Sequence, residues 1–150
     1  MSELKRTILY QAHLDAGATM VDFGGWDMPI QYPEGIIAEH LYCRRHCGIF
    51  DVSHMGRIDV EGPDQVAFLQ HVLSSNVLAL DLNQAQYCII PDKNGYAIDD
   101  AYLYRFEEGK YFLVINAGNI DKDWAHLMNE AKNFDVKLTN VSDKSPAAVS

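Results

Sequence analysis

The sequence has no apolar run longer than the pentapeptide Tyr111–Ile115, far short of the roughly twenty consecutive residues that span a bilayer. The charged stretch Met1–Thr7 leads into no apolar segment, so neither a membrane anchor nor a secretory signal is expected. Cysteine is scarce: Cys43, Cys47 and Cys88 are too few, and odd in number, for a disulfide framework, which favours a reducing, cytoplasmic setting. Positive charge is scarce as well. Twelve Lys and Arg against 21 Asp and Glu leave a net charge of −9, and Arg44–Arg45 is the only Arg pair. The clustered cations that displace counterions from nucleic acid are therefore missing. No GxGxxG follows a strand and no GxxxxGK[ST] occurs, which disfavours nucleotide phosphate chemistry. What is present is a chain of 150 residues, 48% hydrophobic, with room for about one domain that buries ~70% of the surface it exposes when unfolded.

The pattern along the chain changes near residue 55. Before it, turn residues interrupt short apolar segments: Met20 to Phe23, the pair Gly24 and Gly25, then Trp26 to Tyr32. Pro33 ends that stretch, and Ile36, Ile37, His40, Leu41, Arg44 and Cys47 take the spacing of one helical face, predicting a helix over 35–47 with a core-facing stripe and Gly48 as its stop. After Gly56 the chain reads as β-α-β-β-β-α-β. Strands are expected at 57–60, 85–90, 97–106, 111–115 and 134–138. One helix follows Gly62 and Pro63; another is capped by Asn119 or Asp121. Asn94–Gly95 marks a hairpin, because both residues tolerate positive φ. This order implies an α+β fold, a ferredoxin-like antiparallel sheet with flanking helices over 56–141, preceded by an incomplete N-terminal segment (1–55) of a second domain and followed by a tail (142–150).

Four constellations carry possible chemistry. Asp51, Ser53 and His54 are the residue types of a hydrolytic triad, but in an extended segment Ser53 and His54 point to opposite sides, and no GxSxG elbow exists; Asp51 and Ser53 then serve turn backbone groups. His40, Cys43 and Cys47 share a helix at ligand spacing, yet the CxxC or HxxxH pair of a strong zinc motif is absent and helical cysteines commonly fill cores. Alternation along 97–106 puts Ile98, Asp100, Tyr102, Tyr104 and Phe106 on one face and Asp99 with Ala97, Ala101, Leu103 and Arg105 on the other. A carboxylate among aromatic rings is a candidate for proton transfer or for stabilising a cation beside a stacked heterocycle; the alternative is a strand-end aspartate bonded to hairpin backbone. Asn116, leaving the strand 111–115, offers an amide donor and acceptor to a planar ligand, or a turn or helix cap.

Four stretches, Met20–Ile30, Gly48–Gly56, Gly95–Asp100 and Val114–Ala117, resemble the T-protein of the glycine cleavage system, the tetrahydrofolate-dependent aminomethyltransferase, over most of the chain. The resemblance implies transfer of a one-carbon unit from an aminomethyl group on the lipoylated H-protein to tetrahydrofolate, with release of ammonia and no metal. It implies that Asp100 is the catalytic carboxylate, that Asn116 meets the pterin edge, and that Met55, Tyr87 and Tyr104 line the folate pocket, with Tyr102 on the same face. Family members continue past the equivalent of Asp143 into an apolar strand, a Gln-Gly-Pro segment and a further domain, so an N-terminal fragment, inactive alone, is expected. Related folds keep two alternatives open: the folate-binding module of a dimethylglycine- or sarcosine-type oxidase, and a non-enzymatic folate-binding protein. A zinc-binding interaction domain built on His40, Cys43 and Cys47 is the alternative of another class.

Overall fold

The computed structural model describes residues 3–144 and the backbone of Ala148–Val149. It falls into two units, Met1–His54 with Asp143–Ser150, and Met55–Ser142. No described helix is long and apolar enough to cross a membrane.

The first unit contains α1 (Tyr10–Asp15), β1 (Thr19–Phe23), β2 (Trp26–Gln31), α2 (Ile36–Arg45) and β3 (Phe50–Asp51). β1 and β2 form a hairpin in which Phe23 faces Trp26 across Gly24 and Gly25, both at positive φ. The expected core-facing stripe on α2 is not found: none of its residues is buried, and Ile36, Ile37 and Leu41 are 55%, 77% and 44% exposed. Every residue of that stripe is exposed, and the α2 side chains that are partly covered are Glu39 and Cys43 instead, so helical spacing alone picks out the wrong face. Among the described residues of this unit, Met28 is the one buried apolar side chain; the other buried groups are Thr7, His13 and His54.

In the second unit the predicted element order holds. β4 (Gly56–Glu61) leads into α3 (Gln65–Val72). A meander of β5 (Gln84–Pro91), β6 (Ala97–Glu107) and β7 (Lys110–Ile115) follows, then α4 (Ile120–Glu130) and β8 (Lys137–Asn140). The strands pair antiparallel in the order β5-β6-β7-β4-β8. This is the ferredoxin-like arrangement with β5 added at one edge. Alternation puts Ile58, Val60, Ala101, Leu103, Leu113 and Ile115 on one face, where they join Phe68, Leu69, Val72 and Leu127 from the helices in a single core. The opposite face carries the aromatic row of β6. The hairpin at Asn94–Gly95 forms, but only Gly95 has positive φ (84°). Asp92 organises the turn, its Oδ1 accepting the N–H groups of Asn94 and Tyr96 at 2.8 and 2.9 Å. An Asx turn thus replaces the two-residue turn expected from the Asn-Gly pair.

The tail expected over 142–150 is in part a strand: the Ala148–Val149 backbone forms β9, antiparallel to β3, while 145–147 and Ser150 lie outside the described residues.

Candidate active site on the open sheet face

Strand alternation dictates what β6 shows on each side. Ala101 and Leu103 are buried against the helices, while Tyr102 is 49% exposed on the opposite face with Tyr104 and Phe106 beside it. Tyr87 stands across from Tyr102 in the β5–β6 register, rings 5.6 Å apart, and Tyr104 stacks on Phe106 at 5.4 Å and meets Phe112 edge-on at 6.2 Å. Edge and offset contacts of this kind hold an aromatic floor in place while leaving ring faces open to a flat ligand.

Asp100 begins this row. Asn116, the first residue after β7, donates from Nδ2 to Asp100 Oδ1 at 2.7 Å and to Asp99 Oδ1 at 3.0 Å, with the Asp100 carbonyl at 3.3 Å. The Tyr87 hydroxyl lies against Asp100, whose hydrogen bond and charge raise the phenol above its ordinary pKa and keep it protonated. Asp100, Asn116 and Tyr87 therefore converge. Tyr104 is four residues along the same strand, about 13 Å away at the rise of an extended chain, so it belongs to the far end of the row. Met55 is placed by register: it precedes the pair Gly56–Ile115, at the strand end that leads into Asn116. A Cβ on Gly56 would meet Ile115 Cγ1 at 2.5 Å and Ile120 Cγ1 at 2.9 Å, so this corner admits only glycine.

Asn116 makes no side-chain cap, and neither does Asn119, the residue expected to cap α4. Both amides turn to the acidic pair instead: Asn119 Nδ2 donates to Asp99 Oδ2 at 3.0 Å. With its NH2 group committed, Asn116 keeps only its carbonyl oxygen for a ligand, so the donor-and-acceptor role read from the sequence is reduced to an acceptor. Asp99 is pushed up by burial, but the hydrogen bonds from its neighbours, Asn116 and Asn119 among them, outweigh this and hold it below the usual carboxylate range. Beneath it lies Asp123 of α4, wholly buried. The sequence reading missed this residue. The available signal was its place between Ile120 and Leu127 at three-and-four spacing, a carboxyl inside an otherwise apolar helical stripe.

The remaining constellations resolve differently. His54 packs edge-on against Phe23 and Trp26 at 6.0 and 6.3 Å, while Asp51 Oδ1 accepts the Ser53 N–H at 2.9 Å, the turn role that competed with a triad. Asp51 Oδ2 takes Thr7 Oγ1 at 2.7 Å and His13 Nε2 at 2.9 Å, and His13 Nδ1 meets the Tyr32 hydroxyl at 2.7 Å. Burial raises the Asp51 carboxyl, but hydrogen bonds from Ser53, His13 and Thr7 prevail and bring it down to about 2. This network borders a cavity of about 840 Å³ that is lined wholly by first-unit residues, including Glu39, Phe50 and, from the triad and zinc candidates, Asp51, His40 and Cys43, but by none of the expected folate-site residues Met55, Tyr87, Asp100, Tyr104 and Asn116. Among the described residues no group of three His, Cys, Asp or Glu is placed to hold a metal; Cys47 lies exposed beyond the end of α2, so the zinc site proposed for His40, Cys43 and Cys47 does not assemble.

Comparison with known proteins identifies the architecture. The GCVT N-terminal domain family matches residues 9–149. An aminomethyltransferase of Deinococcus deserti is 53% identical over 141 residues, covering 94% of this chain and 39% of that protein. An aminomethyltransferase of Thermus thermophilus is 47% identical over 142 residues, covering 95% and 40%. The crystal structure of glycine cleavage system aminomethyltransferase T from Bartonella henselae superposes with a TM-score of 0.89 at 40% identity, covering 93% of this chain and 38% of that one. The chain thus spans about two fifths of the length of these relatives. With an antiparallel α+β sheet, an acidic pair at the head of its aromatic row and this extent of identity, the chain belongs to the GCVT N-terminal domain family, the family of the glycine cleavage aminomethyltransferases.

Proposed function

We propose that this chain provides the reduced-folate face and the working carboxylate of an aminomethyltransferase. The reaction takes an aminomethyl group from the sulfur of a lipoylated carrier, the H-protein, to tetrahydrofolate. At the transferred carbon the C–S and C–N bonds break and bonds to N5 and N10 of the folate form. The two protons lost by those nitrogens leave on the lipoyl thiol and on ammonia, so atoms and charge balance. No step in this account calls on a metal.

The observation that carries the proposal is Asp100, fixed by the Asn116 amide at 2.7 Å at the head of the exposed aromatic row. A carboxylate held in place there stabilises the positive charge that develops on the methylene carbon as the amine departs, without reorganising at the moment of reaction. The residues fit a reduced pteridine. Its N–H edge finds acceptors in Asp100 and the Asn116 carbonyl, and the Tyr87 and Tyr102 rings offer stacking surface for its plane; Tyr104 and Met55 mark the two ends of the face.

Asp100→Asn in a complete enzyme carrying this segment tests the role. Turnover should fall by two orders of magnitude or so, the size expected for removing one preorganised electrostatic group, while the folate KM stays within severalfold. Near-normal turnover would instead favour a folate-binding module in which Asp100 has no chemical part.

A further inference from the structure

The mechanism above uses Asp100 and Asn116 but gives no role to the most deeply buried charged side chain beside them. We propose that Asp123 is a positioning residue for this pair: a buried carboxylic acid that donates its proton to Asp99 and so holds the Asn116 amide against Asp100. The proposal rests on the reading of Asp100 as the working carboxylate.

Three observations lead to it. First, Asp123 is 0% exposed, and neither of its side-chain oxygens receives a hydrogen-bond donor among the described residues. A place in the first turn of α4 favours an acidic residue through the helix dipole, but Asp121 occupies that turn at the surface, so the dipole does not account for burying a second carboxyl. Second, what Asp123 does meet is the carboxyl of Asp99. Two carboxyl groups in contact attract only when one of them carries a proton. Third, the surroundings decide which one. Asp99 is only part-buried and accepts from both Asn116 and Asn119, as an anion should. Asp123 has no such donors: Lys122 Nζ stays 3.9 Å from it and donates to the Ile98 carbonyl at 2.8 Å. The proton therefore sits on Asp123.

The connection to the reacting region is short. Asn116 has two N–H bonds and three acceptors, two of them the carboxylates of Asp99 and Asp100. A protonated Asp123 anchors Asp99 from below, Asp99 and Asp100 together fix the amide, and the amide fixes Asp100. Loss of the proton sets two anions against each other in a buried space, displaces Asp99 and frees the amide. Burial first, then the hydrogen bond and charge of Asp99, with a smaller contribution from Asp100 and opposition from Lys122, push the Asp123 carboxyl up to about 7. The arrangement thus loosens as pH rises through neutrality.

The test is a carboxyl-carbon NMR titration of the 150-residue chain labelled at aspartate, with the Asn116 side-chain amide followed in the same samples. One carboxyl should titrate near neutrality, disappear in Asp123→Asn, and share its midpoint with a shift of the Asn116 amide. Asparagine keeps a donor toward Asp99 that does not ionise, so in Asp123→Asn the Asn116 resonances should hold their low-pH positions up to pH 8. In a complete enzyme, Asp123→Asn should stay within twofold of the parent turnover at pH 6.5 and lose the parent's decline above pH 7. Asp123→Ala should drop kcat about tenfold with the folate KM within twofold. An Asp123 midpoint near 4, or an Asn116 amide indifferent to it, overturns the proposal. Should the coupled titration appear while Asp100→Asn leaves turnover intact, the relay stands and the catalytic reading of Asp100 fails.

Discussion

The two units of this chain are held by different forces. The second buries sixteen hydrophobic side chains in one core between a sheet and two helices. Among its described residues the first buries Met28 and otherwise relies on polar groups, with His13 bonded directly to Asp51 and the pair flanked by Tyr32 and Thr7, while Ile8, Ile36, Ile37 and Ile49 stand 55–80% exposed. A core bound by burial answers to lost volume first, and to pH only through an acid buried in it, as Asp123 is here. A hydrogen-bonded network around a carboxylate is the reverse. The candidate site lies in the core-bound unit, where strand register fixes each side chain, and this rigidity is what a preorganised carboxylate requires.

Truncating the core should show the contrast most strongly. Leu103→Ala or Phe68→Ala removes a fully buried side chain and should cost about 3–4 kcal/mol by denaturant unfolding or hydrogen exchange, whereas Ile37→Ala should fall within about 0.5 kcal/mol. Comparable losses at both positions would erase the distinction between the units.

Acid should act on the first unit. The Asp51 carboxyl is lowered, so the stability it lends is complete above its ordinary pKa near 4 and disappears as pH falls toward about 2. The loss should amount to about 2 kcal/mol, and Asp51→Asn should remove that acid dependence from amide exchange in α1 and β2. Base should act on the second unit, with opposite sign. The Asp123 carboxyl is raised, so the folded state binds the extra proton and stability declines as pH rises from about 4 to about 7. Between pH 5 and 8 the decline should be of order 2 kcal/mol, and Asp123→Asn should abolish it. The smallest effect belongs to the exposed row. Tyr102→Phe should leave stability within about 0.5 kcal/mol, since its ring contacts survive and its hydroxyl is lost from a surface residue.

Much of the second unit was legible because its signals are periodic. Alternation along 97–106 separates Asp100 from Asp99 and puts the tyrosines on one face, and the stripe through Phe68, Leu69 and Val72 marks α3. The unread parts depend on contacts distant in sequence. His13 and Asp51 are 38 residues apart, and α1 is a six-residue helix too short to show a hydrophobic period. Asn119 carries a strong local preference for capping, yet the Asp99 carboxylate competes better for its amide than backbone N–H groups do for its oxygen. Asp123 reads locally as part of a charged run with Asp121 and Lys122, which masks its three-and-four spacing with Ile120 and Leu127 on the inward face of α4. The α2 stripe is the converse case: its residues keep helical spacing, yet all of them are exposed and the partly covered side chains are Glu39 and Cys43.

The central claim is that the open face of the second unit, and not the cavity of the first, receives the reduced folate. Tetrahydrofolate titrated into the isotope-labelled chain decides between them. The Asn116 side-chain amide and the Tyr87, Tyr102 and Tyr104 rings should shift together along one saturation curve, while Tyr32, Tyr42 and Glu39 stay still. Shifts confined to those first-unit residues, or saturable binding that leaves Asn116 unmoved, would contradict it.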